Sequence, residues 1–237
     1  EYMALKSRKK AQVEGDNNIF WTTMSDLLLG LAIIFMTLFV LAMTGFSQQE
    51  LEQKKKQIEI SKELIENLKE ANIEAQVDKT TGDVKISDME LFELGSANLS
   101  PKGKAYLSKL VPIYINTIFS KKELIGEIEN IIIQGHTDSH TFSGIKNPDI
   151  SYMKNMELST ARANAVANYV FQTAYDKQYN PKLRKMLIVE GRSYSDPVLV
   201  NGKEDYNKSR RVEMRLKVKK LDITEALFHG VQSINND

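Results

Sequence analysis

The chain contains no cysteine, one tryptophan and five prolines among 237 residues, and it has almost no net charge, with 32 basic against 31 acidic side chains. Without cysteine there are no disulfides, thiolate metal sites, cysteine nucleophile or cysteine-linked lipid anchor. The compartment stays open, because a thiol-free chain survives in oxidising and reducing surroundings alike. A net charge of +1 lacks the clustered basic excess of nucleic-acid binders, so nucleic acid is not an expected partner. No GxSxG or other activated-nucleophile pattern occurs, and no enzymatic activity is expected. The mean hydropathy of -0.34 describes an ordinary soluble protein, but it averages over a very uneven distribution of apolar residues.

From Leu27 to Phe46 the sequence reads LLLGLAIIFMTLFVLAMTGF without a charge, about the 20 residues that a helix needs to cross a ~30 Å hydrocarbon core. Ile19, Phe20, Trp21 and Met24 extend this apolar character upstream past one interruption, Asp26, and the expected membrane segment is 19–46. A signal peptide fits badly, because its apolar region is shorter and no small-residue cleavage site follows. Lys6, Arg8, Lys9 and Lys10 precede the segment, which favours a cytoplasmic N-terminal tail (1–18) and an extracytoplasmic remainder. Asp26 has two readings. It is an N-cap in the interface near Thr22, Thr23 and Ser25, or it is a membrane carboxylate that loads and releases a cation. Its place seven residues in from Ile19, roughly 10 Å deep, argues for the second.

Residues 47–72 read as a helical connector rich in helix formers, with neither proline nor glycine from Leu51 to Asn72. Leu51, Ile58 and Ile65 recur every seven residues, but Lys54 and Ser61 occupy the complementary positions. Both a dimer seam and a helix packed on its own domain are compatible with that pattern. From Ile73 the period changes. A hairpin is predicted around Thr80–Asp83, a helix over Leu99–Phe119 opening at Ser100 and Pro101, and a strand over Ile128–Gln134. A polar loop then runs to about Ser151, followed by a helix over Leu158–Tyr175, a strand over Met186–Glu190 and a last strand over Arg211–Val218. Interleaved strands and helices predict an α/β sandwich, one mixed sheet packed on two main helices.

The loops carry GHTD at Gly135–Asp138, NMELSTARA at Asn155–Ala163, NKSRRV at Asn207–Val212, and an LFELGSANLSPKG entry at Leu91–Gly103. In this order and spacing they resemble the OmpA-like peptidoglycan-binding domain, and NMELSTARA is closest to its MotB branch. The resemblance spans roughly 73–220 and leaves a C-terminal tail, 221–237, without a reading. It implies a periplasmic domain in which Arg210 holds a diaminopimelate carboxylate. Asp138 and Arg162 build the rest of the pocket, and Asn155 and Leu158 lie on a loop that frames it. An acidic residue often precedes the loop proline in this family to meet the ligand amine. Here that position is Ser195, and its neighbour Asp196 is the candidate substitute. Two bland readings stand beside these: Asp138 as a turn cap and Arg211 as a structural ion pair. His136, Asp138 and His140 alternate along the chain, but the resemblance accounts for the first two without a metal, and none is expected.

FW-x-x-x-S-D at Phe20–Asp26 is similar to the membrane motif of the MotB family. That resemblance implies a single-pass inner-membrane subunit of an ion-driven motor, with Asp26 carrying H+ or Na+. It also implies a wall-anchored homodimer and a polytopic MotA-like partner, five of that subunit to two of this one. After Asp26 the chain departs from the flagellar pattern, which continues with a Thr- and Met-rich stretch and a second tryptophan. A Zorya-like anti-phage motor therefore fits better than a flagellar or gliding-type stator. A wall tether without motor activity is the remaining alternative.

Overall fold

A run of helix formers from Tyr2 onward, without a single proline, becomes one helix, α1 (Tyr2–Glu70). The computed structural model describes residues 2–93, 95–140 and 144–219, with backbone alone at 2–19, 45–49 and 123; the 221–237 tail therefore lies outside the described residues. The chain divides into two units, Glu1–Glu52 and Gln53–Asp237.

In the first unit, Phe20–Thr44 forms 25 helical residues of mean hydropathy 2.6, long and apolar enough to cross a membrane. Every side chain in that stretch is exposed, which in water would be untenable for a helix apolar all round. Three of its hydroxyls bond within the helix: Thr23 Oγ1 donates to Phe20 O at 3.0 Å, Thr37 Oγ1 to Ile34 O at 2.8 Å and Thr44 Oγ1 to Leu41 O at 2.9 Å, which suits a lipid environment. Asp26 lies inside α1, because the helix begins upstream at Tyr2. The N-cap reading of Asp26 is thereby excluded.

In the second unit the last turns of α1 belong to the core. Ile60, Leu64 and Leu68 are at most 2% exposed, Ser61 Oγ donates to Asp78 O at 2.7 Å, and Asn67 Nδ2 donates to Thr117 Oγ1 at 2.8 Å. The reading of this segment as a helix packed on its own domain is the observed one. Asn72, at φ 54, ends the helix in the left-handed region, with its N–H on Lys69 O and that of Ile73 on Leu68 O.

The expected hairpin forms as β1 (Gln76–Val77) against β2 (Val84–Ser87). A one-turn helix, α2 (Asp88–Leu91), leads to α3 (Pro101–Ser120), whose N-cap Ser100 accepts from Gly103 N. Next come α4 (Lys122–Glu127), β3 (Ile128–His136), α5 (Pro148–Val170), α6 (Asn180–Met186) and β4 (Leu187–Gly191). A small hairpin of β5 (Leu199–Val200) and β6 (Lys203–Glu204) precedes α7 (Tyr206–Ser209) and β7 (Arg211–Val218).

The main sheet runs β1-β2-β7-β3-β4. Only β3 and β4, joined through α5, are parallel, so the sheet is mixed, as expected. Alternate residues of β2, β3 and β7 face α3 and α5: Val84, Ile86, Ile131, Ile133, Val212 and Met214 share one core with Leu107, Tyr114, Ala163 and Val166.

Helix α5 begins ten residues earlier than the sequence pattern predicts. Asn147 Oδ1 accepts from Asp149 N and Ile150 N, and Pro148 occupies the first helical position, a cap that nucleates a polar first turn with no apolar period. Asn155 and Leu158 therefore lie on a helix and not on a framing loop.

Candidate functional site

The GHTD segment ends β3 where α5 crosses the sheet at short range. A Cβ on Gly135 would stand 2.1 Å from Ser159 O, and one on Gly191 of β4 would stand 2.0 Å from Thr160 Oγ1, so only glycine admits the helix there. Ser159 also fastens the loop after β4. Its Oγ accepts from Ser193 N at 3.0 Å, Ser193 Oγ donates to Tyr152 O at 2.9 Å, and Ser193 O accepts from Thr137 N at 2.9 Å. Ser193 is fully buried at φ 51. The two serines thus fix the exit from β3, and with it the position of Asp138.

Thr137, Asp138, Asn155, Leu158, Arg162 and Arg210 line one cavity of about 550 Å³, together with Asp88, Met89, Phe92, Glu93, Gly95, His140 and Asn207. Five of the six candidates for wall binding are thereby brought together. At its centre carboxylates and guanidiniums alternate. Arg210 Nη1 donates to Asp138 Oδ2, Arg210 Nε stands 3.6 Å from Asp88 Oδ1, and Arg162 Nη1 stands 2.9 Å from Asp88 Oδ2. Arg162 is held further by Nε donating to Ser96 O at 3.1 Å and by the Phe92 ring, 5.3 Å from its guanidinium carbon. Asn207 Oδ1 accepts from Arg210 Nη2. Asn155 Nδ2 donates to His140 O at 3.3 Å, tying α5 to the loop beyond β3.

Asp138 is both a turn cap and an ion-pair partner. Its Oδ1 accepts from His140 N at 3.1 Å while its Oδ2 meets Arg210 and, at 3.2 Å, His140 Nδ1. Burial raises its pKa, but the hydrogen bonds from Arg210 and His140 outweigh burial and the net shift is downward. Asp88 shows the opposite balance. Burial holds its pKa above the usual carboxylate range, with Arg162 and Arg210 only partly offsetting it. Asp88 had no signal in the sequence beyond being an acid just before the LFELGS entry.

Asp196 is the exception among the candidates. It does not line the cavity; its Oδ2 accepts from Arg211 Nη2 at 2.9 Å. The reason is alternation along extended backbone: Arg210, extended just before β7, and Arg211, the first residue of β7, face opposite ways, so Arg210 meets the cavity while Arg211 points to Asp196 and to Glu213, whose Oε1 accepts from its Nε at 2.6 Å. The structural ion-pair reading of Arg211 is the observed one. Ser195 Oγ donates back to Arg192 O at 2.7 Å and offers nothing to the cavity.

The alternating His136, Asp138 and His140 do not converge. His136 Nε2 lies 3.0 Å from Gln134 Oε1 on the sheet, whereas His140 sits at the cavity against the Tyr206 ring. Among the described residues His136, Asp196 and Glu213 offer ligand atoms within 4.8 Å of one another, but Arg211 already supplies the cation between the two carboxylates.

Residues 91–211 match the OmpA family. Over 220 residues, 88% of this chain and 92% of the relative, the sequence is 34% identical to the Zorya protein ZorB of Escherichia coli Crooks. It is 25% identical to the ZorB of Escherichia coli O139:H28, over 88% of this chain and 84% of that one. Among solved structures, a MotB-like protein from Desulfovibrio vulgaris superposes with a TM-score of 0.50 at 23% identity, covering 73% of this chain and 97% of that one; this is a likeness of fold. The chain belongs to the OmpA family and to the ZorB family of Zorya proteins.

Proposed function

We propose that this chain is the wall-anchored, ion-carrying subunit of an inner-membrane motor that serves anti-phage defence. The observation that carries the reading is the cavity in which Asp138, Arg162 and Arg210 converge on a domain that follows a helix fit to cross a membrane. A guanidinium pair with outward N–H groups suits a carboxylate, and the neighbouring acids suit an amine; a peptidoglycan stem carries both. Asp26 is the only ionisable residue between Phe20 and Thr44. A charge in that place costs at least ~2.5 kcal/mol on insertion scales, which marks it as a functional group, here the carrier of H+ or Na+. The tail faces the cytoplasm, the domain faces the periplasm, and two copies stand within a ring of five polytopic MotA-like subunits.

Two variants of the full chain test the reading. Arg210→Ala should weaken co-sedimentation with purified sacculi by about tenfold or more, the worth of a charged hydrogen bond. Asp26→Asn should keep sacculus binding and complex assembly but abolish ion flux and phage protection. A wall tether without motor activity predicts full protection by Asp26→Asn, and that outcome would remove the motor from the proposal.

A further inference from the structure

Directly after Asp138 the chain leaves the core. Asp138 is buried, whereas Ser139 and His140 are exposed, so the turn that aims the Asp138 carboxylate has little packing behind it. Asp138 Oδ1 caps His140 N, and Asn155 of α5 reaches His140 O. The remaining holds come from one stretch of chain that does not line the cavity where it grips. Glu204 Oε1 accepts from Ser139 N at 3.2 Å, and Glu204 Oε2 accepts from Ser139 Oγ. Two residues further on, the Tyr206 ring lies against His140 with centroids 4.0 Å apart.

The sequence makes this stretch stiff by local rules. Asn201 and Gly202, at φ 52 and 76, form a two-residue turn that registers Leu199 against Glu204 and Val200 against Lys203. At the base of the hairpin Asp205 N donates to Val198 O at 2.8 Å, and Val198 N donates at 3.0 Å to Oγ of Ser209, which is fully buried. Asp205 Oδ1 then caps α7 by accepting from Lys208 N at 3.1 Å. Helix α7 leads straight to Arg210, whose Nη1 donates to Asp138 Oδ2. Residues 204, 206 and 210 of one braced segment thus meet residues 139, 140 and 138, and the Asp138 turn is gripped from two sides.

We propose that Glu204 is a positioning residue for wall binding: it holds the Ser139 turn, so that Asp138 and Arg210 stand as a pair before any ligand arrives. It acts through Asp138 and not on the ligand. This rests on the wall-binding reading above. A carboxylate has two acceptor oxygens and serves one N–H and one O–H at once. A turn that is already ordered spares the complex the cost of ordering it on binding.

The test combines co-sedimentation with purified sacculi, amide hydrogen exchange and denaturant melts, all on the full chain in detergent. Glu204→Ala should weaken sacculus binding about tenfold, the worth of a charged hydrogen bond. It should also release the Ser139 amide to exchange, while the unfolding midpoint stays at the wild-type value, as for most surface substitutions. Ser139→Ala should weaken binding less, since its N–H remains, and adding it to Glu204→Ala should bring no further loss. Glu204→Gln keeps an acceptor for Ser139 N and a donor for Ser139 Oγ, and should retain most of the binding. Equal losses in Glu204→Gln and Glu204→Ala overturn the proposal, because the charge and not the hold would then be at work. A binding loss matched by a lower unfolding midpoint overturns it too, as does a Ser139 amide that exchanges alike in wild type and Glu204→Ala. If the wild type binds sacculi and Glu204→Ala binds as well, the proposal fails and the wall-binding reading stands. A wild type that ignores sacculi removes that reading, and this role with it.

Discussion

His136 shows what a single buried side chain can impose on the whole domain. It is 1% exposed, its Nδ1 has no hydrogen-bond partner, and burial, assisted by the Arg211 charge and opposed by Glu213, lowers its pKa to about 4 from 6.5. The folded domain therefore keeps the ring neutral where the unfolded chain would protonate it. Between pH 6.5 and about 4 the unfolded state binds the extra proton, so stability rises with pH across that window and is lost as pH falls through it. The full shift corresponds to about 3 kcal/mol. Denaturant melts of the full chain at pH 7 and pH 4.5 should show that loss, and His136→Gln should remove most of it. Equal acid sensitivity in the two proteins would assign the effect to other groups. The same residue shows why the alternation of His136, Asp138 and His140 does not gather the three side chains in one place: period-two spacing ends with the strand. His136 stays in the sheet, while Asp138 and His140 pass into the loop.

At the scale of elements, the closest contact is between α5 and the β3–β4 edge. Gly135→Ala would push a methyl carbon against the backbone carbonyl of Ser159, 2.1 Å away, and a carbonyl within a helix cannot swing aside. Overpacking of this kind typically costs about 1–3 kcal/mol. The variant should melt lower and, because Asp138 follows three residues later, bind sacculi less well. Unchanged melting would show that α5 moves freely over the sheet. Much of this arrangement was legible in advance. The cap at Ser100 and the alternation in β7 act through local rules and placed the sheet and the two main helices, whereas the GHTD, LS-x-x-R-A and RRV segments pointed to five cavity residues only through the family resemblance they carry. What escaped depends on parity or on tertiary pairing. Asp196 and Arg210 look equally available until strand alternation sends Arg211, and not Arg210, toward Asp196. Asp88 is one acid among many until α2 sets it between two arginines. The first turns of α5 are polar and carry no period, so only the Asn147–Pro148 cap announced them.

For the molecule as a whole, the boundary between connector and domain decides which residues fold with the domain. Composition places it near Ile73, where helix formers give way to alternation. Packing places it well upstream, since Ile60, Leu64 and Leu68 are buried in the core and Lys121 Nζ meets Glu63 Oε2 across the helices at 2.8 Å. Removing three core side chains, each worth about 2–5 kcal/mol on truncation to alanine, exceeds the total stability of many domains. A fragment of residues 73–219 should therefore fail to fold, whereas 53–219 should give a cooperative transition. Within the full chain, Leu64→Ala alone should lower stability by about 2–5 kcal/mol in denaturant melts. A cooperative 73–219 fragment would instead make residues 53–72 a detachable spacer, one able to extend without disturbing the cavity. If the fragments behave as expected, those turns are a fixed part of the folded domain, which then begins near Gln53.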